Sequence, residues 1–125
     1  NQNIWISRKS NGDNDTLSAI VATFVNADLL VLLTDIDGLY DDNPRTNPQA
    51  KRISFVRGIT QEIRDLAGTA GTSRETGGME TKVRAAEIAN EKGISCCVMS
   101  GAHPKQLYLL CDGAQIGTIF EAEQR

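Results

Sequence analysis

The sequence is poor in the residues that most often carry out acid–base and metal chemistry. It has one histidine, His103, with no neighbouring pattern of a catalytic triad, so we expect a loop or surface role for it. The three cysteines lack metal-ligand spacing, because Cys96 and Cys97 are adjacent and would point to opposite faces of a strand, while Cys111 stands alone. We expect the cysteines to be small buried side chains of a protein from a reducing compartment, the cytoplasm.

Long apolar runs and an excess of positive charge are also missing. No stretch approaches the roughly 20 apolar residues that cross a bilayer, and the first residues lack the basic-then-apolar order of a signal peptide. No membrane is therefore expected. The formal net charge of −3 argues against a nucleic-acid partner, whose phosphates require a strongly basic face. The 125 residues are enough for one domain with a real core.

The apolar pattern predicts alternating helices and strands. Asp15 is predicted to cap a helix over residues 16–26. Five apolar residues fall on one face of that helix: Leu17, Ile20, Val21, Phe24 and Val25. The apolar run 29–33 is typical of a strand buried on both faces in a parallel sheet. It is followed by a long loop, 35–51, which is dense in turn-forming residues, and loops of this length are more often functional than idle.

The rest of the chain continues the alternation. The pattern predicts a short strand or edge segment over 53–56, strands over 94–99 and 117–122, helices over 59–67 and 79–92, and a helix or turn over 106–111. Gly68 and Gly93 are predicted to end the two longer helices. This order indicates an α/β fold with parallel strands joined by helical crossovers.

Polar side chains cluster at two places where an open α/β sheet binds ligands. Asp13, Asn14 and Asp15 precede the first helix, where capping requires only Asp15. A capped helix and a ligand site therefore both remain open. Thr34 and Asp35 follow the buried strand at its carboxyl end, where ligand contacts are expected, with a simple turn as the alternative.

A glycine loop precedes the longest predicted helix. Thr76, Gly77 and Gly78 lead into this helix, and Lys82 lies about one turn inside it. Free backbone N–H groups and the helix dipole favour an anion at such a position, and a lysine one turn on can reach the same anion. The loop matches neither the GxxxxGK[ST] nor the GxGxxG pattern. From the residues alone, a plain turn and a phosphate site both remain open.

The order of these motifs resembles the amino acid kinase family. The motifs are GDND before the first helix, LLTDIDGLYDDNPRTNPQA at the buried strand, TGGMETK at the glycine loop and a final GT-x-F, and the resemblance extends over residues 12–121. Within the family, the resemblance is to the branch that phosphorylates the side-chain carboxylate of glutamate with ATP and Mg²⁺, the first step of proline synthesis. It implies a three-layer α/β/α sandwich with a mainly parallel sheet.

The resemblance also implies roles for individual residues. Asp13 and Asn14 would hold L-glutamate, Asp15 would orient the catalytic lysines, and Lys82 would meet the transferring phosphoryl group. The implied nucleotide-binding residues are Thr34, Asp35, Thr76, Gly77, Gly78, Met79 and Lys82. No residue is assigned as a metal ligand. A carboxylate acceptor is ionised at neutral pH and needs no general base, which agrees with the lack of a catalytic histidine.

The N-terminal half of the family's fold, which carries a second catalytic lysine, has no counterpart in the sequence. A C-terminal RNA-binding-type domain has none either. We therefore expect residues 1–125 to form a single partial kinase domain, truncated on its N-terminal side, that does not phosphorylate glutamate by itself. An exposed sheet edge and apolar helix face would follow, and with them a homo-oligomer. Two alternatives stay open: a non-catalytic nucleotide-binding or regulatory remnant, and a related kinase with another acceptor.

Overall fold

The computed structural model describes residues 3–7, 15–69 and 78–122. In this part of the chain, five strands form one sheet and four helices cover its two faces. The strands are β1 (Ile4–Ser7), β2 (Leu29–Thr34), β3 (Phe55–Arg57), β4 (Ser95–Ser100) and β5 (Thr118–Glu121). The helices are α1 (Asp15–Phe24), α2 (Gln61–Thr69), α3 (Gly78–Glu91) and α4 (Gln106–Cys111).

The sheet has the order β1-β2-β4-β5-β3, and all neighbouring pairs except β4–β5 are parallel. The prediction of parallel pairing is therefore wrong for β4–β5. The reason lies in the connection through α4, whose six residues advance the chain by only about 9 Å. A strand of six residues is about 20 Å long, so α4 is too short to return the chain to the opposite edge, and β5 enters from the edge where β4 ended.

Two apolar clusters separate the three layers. The larger cluster lies between the sheet and helices α1 to α3, and includes Leu30, Phe120 and Val83. The smaller cluster lies on the other face, where Val31 packs near Leu107 of α4. Successive residues of β2 thus point to opposite clusters, which explains why this strand has no alternating polar residues. The predicted three-layer α/β/α sandwich is confirmed.

Helix α1 packs through its small residues rather than its large apolar ones. Ser18, Ala19 and Ala22 are buried, and α1 lies in contact with α3. Small side chains let two helix backbones approach closely. By contrast, Leu17 is 55% and Phe24 is 80% exposed. The apolar face of α1 therefore lies outside the core, and the expected exposed apolar helix face is present.

Helices α1 and α3 end with a left-handed residue. Asn26 follows α1 with φ +53°, and the N–H of Ala27 donates to the carbonyl of Ala22 at 2.9 Å, the arrangement of a Schellman motif. Gly93 follows α3 with φ +78°, which confirms the predicted stop. Helix α1 begins one residue earlier than predicted and ends two residues before the predicted limit, because Asn26 terminates it. Helix α2, by contrast, continues through Gly68, which was predicted to end it.

The two edge strands are short. β1 was not predicted, because four residues are too few for periodicity to identify a strand. β3 confirms the predicted edge segment, although it begins two residues later and ends one residue later than the predicted 53–56. None of the helices in the described ranges is long and apolar enough to cross a membrane.

Candidate functional site

The topology brings the predicted site residues to one edge of the sheet. Because β1, β2 and β4 are parallel, their last residues Ser7, Thr34 and Ser100 lie together at what we call the carboxyl edge. Helices α1 and α3 each lead into a parallel strand and run opposite to it, so their first residues, Asp15 and Gly78, lie at the same edge. Ligands of open α/β sheets bind at this edge.

The structure brings together the two predicted catalytic residues. The Nζ atom of Lys82, in α3, lies 2.8 Å from the Oδ2 atom of Asp15, the first residue of α1. Only 2% of Lys82 and 1% of Asp15 are exposed. The dipole of α3 favours anions at its N-terminus and disfavours a cation there. The Asp15 carboxylate therefore makes it possible to keep a buried ammonium group at this position.

A third side chain completes this contact. The hydroxyl of Thr81 donates to the same Oδ2 atom of Asp15 at 2.7 Å and also lies 3.1 Å from the carbonyl of Gly78. Thr81 was not predicted as a site residue. A hydroxyl residue in the first turn of a helix has no distinctive pattern, and its partner Asp15 is 66 positions away in the chain.

The first residues of α3 offer backbone rather than side-chain contacts. Gly78 has φ +60°, a conformation that glycine adopts without strain. Met79 is 1% exposed and belongs to the larger apolar cluster. Its side chain is therefore part of the core, and a ligand can meet this residue only through its backbone. Four predicted residues lie outside the described residues: Asp13, Asn14, Thr76 and Gly77.

Thr34 and Asp35 lie where β2 leaves the sheet. The hydroxyl of Thr34 is 3.2 Å from the Oδ1 atom of Asp35, and the Asp35 side chain is exposed. The N–H of Gly101, just after β4, donates to the carbonyl of Thr34 at 2.8 Å. A Cβ at Gly101 would lie 3.3 Å from the Cβ of Leu33. The absence of a side chain at Gly101 thus keeps the ends of β2 and β4 close together.

The long loop after Asp35 is fixed by its own polar side chains. The hydroxyl of Tyr40 lies 2.9 and 3.0 Å from the two carboxylate oxygens of Asp37. The pKa of Tyr40 is raised, mainly by burial and then by this hydrogen bond. Farther along, Asn47 donates to the carboxylate of Asp42 at 2.9 Å, and this bond lowers the pKa of Asp42. The predicted loop therefore has a defined shape.

The cysteines and the histidine match their predictions with one exception. Cys96 and Cys97 are buried, and burial raises the pKa of both thiols, that of Cys97 to about 12. His103 is exposed in the turn before α4. Cys111 is exposed, so the prediction of burial is wrong for this residue. It is the last residue of α4, whose own residues are all outside the fully buried core.

Comparisons with known proteins agree with this architecture. The sequence profile of the amino acid kinase family matches residues 2–100. A glutamate 5-kinase from Clostridium perfringens is 50% identical over 113 residues, which cover 90% of this chain and 42% of the relative. A glutamate 5-kinase from Streptococcus pneumoniae (strain Hungary19A-6) is 46% identical over 125 residues, 100% of this chain and 34% of the relative. The chain thus spans well under half the length of these curated relatives.

Solved structures share the fold. The carbamate kinase from Giardia lamblia bound to AMP-PNP superposes with a TM-score of 0.63 at 21% identity, covering 89% of this chain and 32% of that one. The isopentenyl phosphate kinase of T. acidophilum, a product complex, gives 0.62 at 22% identity, covering 86% and 38%. At these identities the likeness shows the fold alone. Because the family profile matches most of its length, the chain belongs to the amino acid kinase family.

Proposed function

We propose that this chain is the nucleotide-binding half of a kinase that transfers the γ-phosphoryl group of ATP to the side-chain carboxylate of L-glutamate. The buried contact between Lys82 and Asp15 carries the proposal, because it places a fixed positive charge at the ligand-binding edge of the sheet. The relatives named glutamate 5-kinase support the choice of acceptor.

The chemistry of such a transfer fits the residues at the carboxyl edge. The acceptor is already an anion, so the reaction requires stabilisation of negative charge rather than proton removal. Lys82 supplies an ammonium group, and the N–H groups in the first turn of α3, from Gly78 onward, which have no acceptor within the helix itself, supply donors for phosphate oxygens. Asp15 acts through Lys82: their 2.8 Å contact fixes the ammonium group where the helix dipole opposes it.

We assign further residues to the proposed site. Mg²⁺ is typically held by one or two carboxylates together with substrate phosphates. Asp15 is already paired, whereas Asp35 is exposed at the end of β2, so Asp35 is the carboxylate whose chemistry fits an Mg²⁺–ATP complex. We assign glutamate binding to Asp13 and Asn14. We assign nucleotide binding to Thr34, Asp35, Thr76, Gly77, Gly78, Met79 and Lys82.

We also propose that the protein acts in the cytoplasm as a homo-oligomer. Buried thiols at Cys96 and Cys97 suit a reducing compartment. Trp5 and Ile6 on the edge strand β1 are 37% and 42% exposed, and the apolar face of α1 is exposed as well. Apolar surface beside an open strand edge favours association.

A chimera tests the proposed activity. This chain replaces the matching segment of the Clostridium perfringens relative, and ATP-dependent release of ADP is followed with glutamate, aspartate, carbamate or UMP as the acceptor. The acyl phosphate formed from an amino-acid acceptor is also trapped as the hydroxamate. We expect product from glutamate, and none from the 125-residue chain alone. Lys82→Met in the chimera should lower turnover by about 100- to 1,000-fold. Lys92→Met, at an exposed lysine just after α3, should leave turnover unchanged.

Other results of the chimera experiment would favour one of the two alternative functions. A folded chimera that binds ATP but phosphorylates none of the acceptors would favour a non-catalytic remnant. Phosphorylation of another acceptor in preference to glutamate would favour a related kinase. Equal activity of the Lys82→Met chimera would show that Lys82 has no role in the transfer.

A further inference from the structure

Thr118 connects the last strand to the loop that leaves the carboxyl edge. It is the first residue of β5 and has no exposed surface. The N–H of Leu39 donates to its Oγ1 atom at 2.8 Å. The same Oγ1 atom donates to the carbonyl of Ile53 at 2.6 Å. One buried hydroxyl therefore satisfies a backbone donor at the start of the loop and a backbone acceptor at its end.

These two bonds extend a short ladder inside the loop. The N–H of Ile53 donates to the carbonyl of Leu39 at 2.8 Å, and the N–H of Asp41 donates to the carbonyl of Lys51 at 2.9 Å. The Thr118 hydroxyl continues this ladder at the base of the loop, because it bonds the N–H of Leu39 and the carbonyl of Ile53. Buried backbone groups without a partner are costly, so the base of the loop depends on this side chain.

The clamp formed by Thr118, Leu39 and Ile53 also restricts the residues next to Asp35. A Cβ at Gly38 would lie 2.7 Å from the Oγ1 atom of Thr118, so Gly38 lies directly against the hydroxyl. Leu39 is held by its N–H, and Tyr40 is held to Asp37 through its own hydroxyl. The segment 35–40 is therefore fixed at several successive residues.

We propose that Thr118 is a positioning residue for nucleotide binding. It acts through the Leu39 amide and holds the segment 35–40 at the carboxyl edge, without touching the nucleotide itself. This inference rests on the proposed nucleotide site at Thr34 and Asp35. It also gives the final GT-x-F motif a physical meaning, because Phe120 belongs to the core while Thr118 fixes a loop 79 positions earlier in the chain.

The test compares Thr118→Val, which keeps the shape and removes the hydroxyl, with Thr118→Ser, which restores it. Exchange of the Leu39 amide is followed by NMR, and Mg²⁺–ATP affinity is measured by calorimetry on the 125-residue chain. Thr118→Val should speed exchange of the Leu39 amide and weaken ATP binding by about tenfold, which is the effect of losing about one hydrogen bond. Thr118→Ser should bind within about twofold of wild type.

Ser95→Ala is the matched control. The hydroxyl of Ser95 accepts a hydrogen bond from the N–H of Ala122 at 3.1 Å, at the opposite end of the β4–β5 pair. This variant removes a similar side-chain-to-backbone bond far from the carboxyl edge, so it should lower stability without changing ATP affinity. Gly38→Ala gives a second perturbation if Thr118→Val does not fold, because the added Cβ displaces the hydroxyl, and it should also weaken binding.

Different results would overturn the clamp, the positioning role of Thr118 and the proposed nucleotide site. Unchanged Leu39 exchange in Thr118→Val would overturn the clamp. Faster exchange with wild-type ATP affinity, or equal weakening by Ser95→Ala, would overturn the positioning role. A folded wild-type chain that does not bind Mg²⁺–ATP would instead overturn the proposed nucleotide site, while Leu39 exchange would still decide whether the clamp exists.

Discussion

Breaking the buried ion pair between Lys82 and Asp15 should destabilise the fold far more than a surface pair would. Among the described residues, Lys82→Met leaves the buried Asp15 carboxylate with the hydroxyl of Thr81 as its side-chain partner, and Asp15→Asn removes the countercharge of the Lys82 ammonium group. At 2.8 Å and an effective dielectric constant of about 20, the attraction is about 6 kcal/mol. The cost of removing both charges from water is of similar size.

The double variant should therefore lose less free energy of unfolding than the two single variants lose together. Each single substitution leaves one charge buried and unpaired, so each should lower the free energy of unfolding by about 3–5 kcal/mol. Combining Asp15→Asn with Lys82→Met removes both charges, and the loss should fall well below the sum. We expect a coupling energy toward the upper end of the usual range of about 0.5–3 kcal/mol.

Urea unfolding followed by far-UV circular dichroism measures these free energies. Glu87→Gln is the control, because it breaks the partly exposed pair with Arg64, whose atoms also approach to 2.8 Å, and should cost less than about 1 kcal/mol. Losses below about 1 kcal/mol for both single variants at the buried pair, or strict additivity in the double variant, would refute this reasoning.

Three further predictions concern other parts of the chain. At pH 8 a disulfide reagent should modify Cys111 rapidly in the native protein and all three thiols only in denaturant. The pKa of Glu87 is lowered from 4.5, chiefly by its hydrogen bond from Arg64. This bond therefore stabilises the fold fully at a pH above 4.5, and the stabilisation is lost as the pH falls through the lowered pKa. The difference in stability between wild type and Glu87→Gln, about 0.5 kcal/mol at pH 7, should therefore shrink and disappear as the pH falls below the lowered pKa. Gly117→Ala should lower the free energy of unfolding by at least about 2 kcal/mol, and by more than Gly58→Ala does. Both glycines have positive φ, but of the two only Gly117 has a backbone carbonyl of β4 where the added Cβ would lie.

Local pattern was enough to predict most elements of the fold. The run that became β2 is apolar at every position because both of its faces are covered, and α3 begins and ends within one residue of its predicted limits. The stop at Gly93 followed from its conformational freedom. The order of the motifs then indicated the family, which the profile match bears out.

The predictions failed where contacts between residues far apart in the sequence determine the structure. Periodicity identified the apolar face of α1 but not whether that face meets the core, and the choice was made by close packing of small residues against α3. The direction of β5 depends on how far α4 carries the chain, which pairing rules for consecutive strands do not include. The hydroxyls of Thr81 and Thr118 have partners 66 and 79 positions away, so the motifs that contain them, TGGMETK and GT-x-F, did not indicate what these side chains contact.

The most direct test of the central claim is calorimetric titration of Mg²⁺–ATP into the wild-type chain and into the combined Asp15→Asn, Lys82→Met variant. The double variant is the better comparison because it lacks the charge at the carboxyl edge without leaving an unpaired buried charge, and circular dichroism can verify that it is folded. We predict saturable binding by the wild type and at least about tenfold weaker binding by the double variant. Equal binding by the two folded proteins, or none by the folded wild type, would contradict the assignment of a nucleotide site to this edge of the sheet.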